Sequence, residues 1–91
     1  MEESFMNAKT EIKKLGDIDQ IYWLDDKHRF IEFSIEGKGT GVYSVSLKKF
    51  ILRPGSYHEV SVDEPMGLIF FKKLYHSHFS KINFEGEEIL I

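Results

Sequence analysis

The sequence predicts a small α+β domain: an antiparallel β-meander of four to six strands packed with an N-terminal helix and a second helix near 65–79. A mostly-β barrel or sandwich is the alternative. Three observations lead there. The 91 residues suffice for one domain, 1–91, and one core. Apolar residues near the N-terminus recur at a helical period. From Gln20 onward, short β-prone runs are punctuated by turn chemistry. Hydrophobic residues make up 42% of the chain and aromatic residues 14%, enough apolar surface to exclude a disordered chain.

The helix is read over 3–15. Phe5, Ala8, Ile12 and Leu15 share one face, acids lie near its start and Lys13 and Lys14 near its end, and Gly16 is a natural stop. Gln20–Leu24 is rich in β-formers and runs into the turn residues Asp25-Asp26-Lys27. His28–Glu36 then alternates, with Ile31, Phe33 and Ile35 on one side and Glu32, Ser34 and Glu36 on the other. Gly37–Gly41 reads as a loop, because three glycines in five residues hold regular structure poorly. A third strand is expected from Val42 to about Leu52. Its apolar parity slips at Lys48-Lys49, which predicts either a bulge or the end of the strand.

Arg53-Pro54-Gly55-Ser56 has the residues of a type II turn, with Gly55 at the positive-φ position. Tyr57–Val62 follows as a strand. Over 65–79 two patterns compete. Leu68, Phe71, Tyr75 and Phe79 suit a helix face with Asp63 or Glu64 as its cap. Gly67–Phe71 also suits a buried strand, and so short an apolar run does not separate the two; helix is the reading favoured here. Lys81–Glu85 and Glu88–Ile91 read as one or two short strands, the apolar end of the chain being tied into a sheet.

The chain has no cysteine, which removes disulfides and thiolate metal sites and suits a cytoplasmic location. The N-terminus lacks the apolar core of a signal peptide, and no apolar run reaches the length of a membrane helix. No nucleophile elbow and no His-Glu-x-x-His is present. His76 and His78 would share a face on a strand and diverge on a helix, and no spacing supplies the third ligand of a zinc site. No catalytic residue, metal or cofactor is therefore assigned, and an enzyme is not expected.

Charge is unevenly placed. The net charge is −3, yet Gly37–His58 carries Lys38, Lys48, Lys49 and Arg53 with no acid, and Pro65–Phe84 carries Lys72, Lys73 and Lys81 with none. The second block interleaves cations with rings. These seven residues, with His76 and His78, are the candidate partner- or anion-binding set. The competing reading is that the rings are core and the lysines its solvated edge. The Gly37–Gly41 loop has the composition of an anion cradle without the P-loop pattern, and a plain hairpin loop is the favoured reading.

Phe71–Phe79 is similar to the basic His-Ser-Tyr/His stretch of LytTR-type DNA-binding domains, and Ser46-Leu47-Lys48 resembles a segment upstream of it in that family. Between the two segments this chain has a Pro-Gly hairpin where the family has a short helix, and Lys81 stands where the family has Asn. No site residue is carried over. The expected function is a non-enzymatic protein-interaction module, of inhibitor, adaptor or regulatory type. It binds a larger partner through a charge-segregated surface or an edge strand. A nucleic-acid or nucleotide binder using Lys48–Arg53 with Lys72–Lys81 is the alternative, and a homodimer is open.

Overall fold

The computed structural model describes residues 2–55, 57, 59–73 and 79–89, with the backbone alone at Glu2. Its order is α1 (Glu2–Lys13), β1 (Ile18–Trp23), β2 (Phe30–Ile35), β3 (Gly39–Ser44), β4 (Lys49–Arg53), β5 (Glu59–Asp63), β6 (Leu68–Lys72) and β7 (Phe79–Asn83). The strands form two antiparallel sheets, β1-β2-β3-β4 and β5-β6-β7. The chain divides into two compact units, Met1–Gly55 and Ser56–Ile91. An α+β architecture with an N-terminal helix is as the sequence predicts. The strand number is a correction, since seven strands stand among the described residues where four to six are expected.

In the first unit, α1 lays Phe5, Ala8 and Ile12 on the sheet, where Ala8 and Ile12 are fully buried with Ile31, Phe33, Ile35 and Tyr43. The helix closes with tight i→i−3 bonds, Leu15 N–H to Ile12 O at 2.9 Å among them. Register puts Ile21 beside Phe33 and Trp23 beside Ile31, so one face of β1 and β2 carries the core. The other face carries Tyr22, Glu32 and Ser34.

Two expectations fail in the next segment. Gly39-Thr40-Gly41 is strand, not loop. A Cβ at Gly39 would lie 1.9 Å from the Arg53 carbonyl oxygen, and one at Gly41 would lie 2.5 Å from the Phe33 ring. The glycines are there because β4 and a core ring come too close for a side chain. The long third strand is two strands. Residues 45–48 turn the chain, closed by the Ser44–Lys49 pair, with Lys48 at φ 54° and Leu47 N–H donating to Ser44 Oγ. The parity slip at Lys48-Lys49 therefore marks a hairpin, the second of the two readings, and not a bulge. Gly55 has φ 98°, as the Pro-Gly turn requires.

In the second unit the helix expected at 65–79 is absent among the described residues. Asp63 accepts from Met66 N–H and Gly67 N–H donates to Glu64 O, so the would-be cap closes a turn. Leu68–Lys72 then runs as the central strand of its sheet, and residues 74–78 lie outside the described set. Leu68–Lys72 is paired along its whole length, with β5 on one side and β7 on the other, which gives its backbone groups partners in the ladder. Val60, Ile69, Phe71 and Ile82 are buried and share one face, with Tyr57 edge-on to Phe71 at 5.1 Å. Beyond β7, Asn83 N–H donates to Glu87 O and Ile89 N–H to Lys81 O, joining residues 87–89 to the sheet; Leu90 and Ile91 lie outside the described residues. Among the described residues no helix is long and apolar enough to cross a membrane.

Candidate functional site

The two basic blocks fall in different units. In the first, the four cations lie on the β2–β3 turn, the β3–β4 hairpin tip and β4. The Lys38 ammonium donates to the Leu15 carbonyl, capping the end of α1 and holding the β2–β3 turn to it. Lys48 sits at the tip of the β3–β4 hairpin. Lys49 and Arg53 begin and end β4 and, with Ile51, lie on the face opposite Phe50 and Leu52. Lys38 is thus held at the end of α1, while Lys49 and Arg53 share one face of β4.

The second block is more coherent. Register places Glu59, Lys72 and Phe79 in one cross-strand row and Ser61, Phe70 and Lys81 in the next, all on the face opposite Phe71 and Ile82. Phe70 and Phe79 meet edge to face, with centroids 6.0 Å apart, and Phe79 keeps 39% of its surface exposed. The Lys72 ammonium lies 5.6 Å from the Phe79 ring centroid. Lys73, one residue past β6, lies over Tyr57 at 5.7 Å. Cations held over rings in this way keep their charge at a defined place on the surface. His76 and His78 lie outside the described residues.

Phe70 and Phe79 are the functional candidates that sequence reasoning left out of its residue set. Helix periodicity scatters them around an axis. Strand parity sets Phe70 and Lys72 on one side of β6 and Phe79 and Lys81 on one side of β7.

The opposite face of the first unit's sheet has different chemistry. The Tyr22 hydroxyl hydrogen-bonds the Glu32 carboxylate, and burial with that bond pushes the phenol up to about 12. Desolvation raises Glu32 above the ordinary carboxylate range, against the pull of the Tyr22 hydrogen bond. Beside them, Ser34 Oγ is buried with no hydrogen-bond partner among the described residues. At the β1–β2 turn, Trp23 stacks on His28 at 4.5 Å and touches Phe5 at 5.5 Å. Asp25 accepts from the backbone N–H groups of Arg29 and Phe30. Both are local pairings that fix a strand or a turn. No group of three or more His, Asp or Glu side chains able to hold a metal occurs among the described residues. No family model matches this chain, and no curated protein or solved structure matches it significantly.

Proposed function

We propose that the chain is a small non-enzymatic protein-interaction module, cytoplasmic and of inhibitor, adaptor or regulatory type. Its docking face is the Phe70–Lys72–Phe79–Lys81 side of β5-β6-β7. The observation that carries this reading is the Phe70–Phe79 pair, two rings set edge to face with Lys72 above one of them. Rings already held in place lose little conformational freedom on binding, and such anchors supply most of the energy of protein interfaces. Lys72 sits across from Glu59, and Lys81 and Asp63 share the same face, a mixture of signs suited to orienting a partner.

That mixture also weighs against the alternative, a nucleic-acid or nucleotide binder, although bases do stack on exposed rings. The second unit carries six acids and three Lys or Arg residues, and Glu59 stands directly across from Lys72. Phosphate tracking needs a surface of one sign.

The test is a pull-down with the full chain from host lysate at low and high salt, with and without nuclease, beside Phe79→Ser. A protein retained through nuclease and high salt, and recovered roughly tenfold less on Phe79→Ser, supports the module; tenfold corresponds to about 1.4 kcal/mol of binding energy. Equal recovery on a natively folded Phe79→Ser chain removes this face. Retained nucleic acid that salt elutes replaces the reading with the alternative.

A further inference from the structure

Among the described residues, the Phe70–Phe79 face holds one hydroxyl, that of Ser61. Register sets Glu59, Ser61 and Asp63 along β5, Leu68, Phe70 and Lys72 along β6, and Phe79, Lys81 and Asn83 along β7, all on this side of the sheet. Ser61 is exposed, while its strand neighbours Val60 and Val62 lie on the core face. Ser80, the other serine in these strands, pairs with Phe71 on the core face.

Ser61 stands directly across from Phe70, with Lys81 next in the row. Lys72 is its diagonal neighbour on β6, about 7–8 Å away between backbones and within reach of a long side chain. Formal charge on this face sums to zero, because Glu59 and Asp63 offset Lys72 and Lys81. A small change in charge at its centre therefore sets the sign of the whole face. The sequence around Ser61 is acidic, with Glu59 before it and Asp63 and Glu64 after it. Kinases select substrates partly by such patterns, a basic substrate groove reading the acids that flank the hydroxyl. β5 presents this pattern on an extended backbone.

We propose, on the reading of the Phe70–Phe79 face as the docking surface, that Ser61 is a phosphorylation site whose phosphate switches that face off. A serine kinase carries out the transfer. Ser61 Oγ attacks the γ-phosphorus of a nucleoside triphosphate, and the Oγ–P bond forms as the bond to the bridging oxygen breaks. The nucleoside diphosphate leaves, and the hydroxyl proton passes to the catalytic carboxylate of the kinase. The new group carries about −1.5 to −2 charges at neutral pH, so the balanced face becomes negative. Lys72 is drawn from the Phe79 ring to the phosphate, because a charge-assisted hydrogen bond is stronger than an exposed cation–π contact. A hydrated anion then stands across from Phe70, between Glu59 and Asp63, where a partner would seat its apolar anchor.

The experiment incubates the full chain in host lysate with ATP, reisolates it and locates phosphate by tandem mass spectrometry. Phosphate on Ser61 is expected, and its absence from that residue overturns the proposal. Phosphorylated and unmodified chains are then separated by anion exchange and compared in the pull-down with Ser61→Ala and Phe79→Ser. The phosphorylated chain should recover the partner roughly tenfold less than the unmodified chain, and Ser61→Ala as well as wild type. Equal recovery by the phosphorylated chain, with Phe79→Ser deficient, overturns the switch and leaves the docking face standing. Phe79→Ser recovering as much as wild type removes the docking face, and the switch with it. Phosphorus NMR reads the Lys72 contact with no partner present. The second ionisation of the phosphate should come at lower pH in wild type than in Lys72→Met, since a nearby cation favours the dianion. Identical titrations overturn the displacement of Lys72 whether or not the face binds a partner.

Discussion

Both units build an antiparallel sheet with one apolar face, and they differ in what they put on the other. In the first unit the second face carries Tyr22, Glu32, Ser34 and Thr40 beside the buried Phe30 and Val42, with Lys49, Ile51 and Arg53 on the outermost strand. Tyr22 pairs with Glu32 and Thr40 Oγ1 with Gly55 O at 3.4 Å, while Ser34 Oγ has no hydrogen-bond partner among the described residues. In the second unit the second face carries Leu68, Phe70 and Phe79 with Lys72 and Lys81. A sheet face that needs no core function still spends two phenylalanines there. Apolar residues on both faces of so small a sheet are informative because water contact makes them unfavourable unless something covers them. The first unit's second face mixes buried Phe30 and Val42 with polar groups, whereas the second unit's sets the exposed Phe79 among lysines.

The largest effects separate the buried rings of the core faces from the rings of the second unit's other face. Phe33 and Phe71 are each 1% exposed, so Phe33→Ala and Phe71→Ala should each cost about 3–5 kcal/mol in urea unfolding. Phe70 is half-buried on the other face of the same strand as Phe71, and Phe70→Ala should cost about 1 kcal/mol. A Phe70→Ala loss equal to that of Phe71→Ala would make its face a second core and end the distinction.

Lysines from the two units divide in the same way. Lys72→Glu with Lys73→Glu removes two cation–π contacts, about 0.5–1 kcal/mol each at exposed positions, and should abolish partner binding while the chain stays folded. Lys38→Met removes the ammonium from the Leu15 carbonyl at the end of α1 and should cost about 0.3–1 kcal/mol with partner binding unchanged. Thermal unfolding and the pull-down read both. Binding lost on Lys38→Met would return that residue to the site.

The same contrast explains what could be read from the sequence. The alternation of β2 is visible because its two faces differ: Ile31, Phe33 and Ile35 against Glu32 and Ser34. β6 has Leu68, Ile69, Phe70 and Phe71 in succession, and where both faces are apolar a strand loses its period. The helix expected there follows from that loss, and with it went the alignment of Phe70 with Phe79. The glycines at 39 and 41 misled for another reason. Composition says that glycine is permissive, while the close approach of the Arg53 carbonyl and the Phe33 ring is a long-range fact that only the folded sheet contains. The amphipathic α1 and the Pro-Gly turn were legible because their signals are local.

Glu32 offers the smallest and most specific test of the polar face. It sits mid-strand in β2, across from Tyr22 on one side and the buried Val42 on the other. Desolvation raises its pKa from the ordinary 4.5, and the Tyr22 hydroxyl partly offsets the rise by stabilising the carboxylate. The folded state therefore holds the Glu32 proton to higher pH than the unfolded chain does. Across the window from 4.5 up to the raised value, folded molecules bind more protons, so this group's contribution to stability falls as pH rises and is level above it. Glu32→Gln cannot titrate. Its urea midpoint relative to wild type should climb through that window and then stay constant, while every other carboxylate cancels in the difference. Tyr22→Phe should act oppositely to Gln, widening the window by removing the donor that favours the ionised form. Parallel pH curves for wild type and Glu32→Gln would mean that water reaches Glu32 in the folded chain, and the polar face would then be an ordinary solvated one.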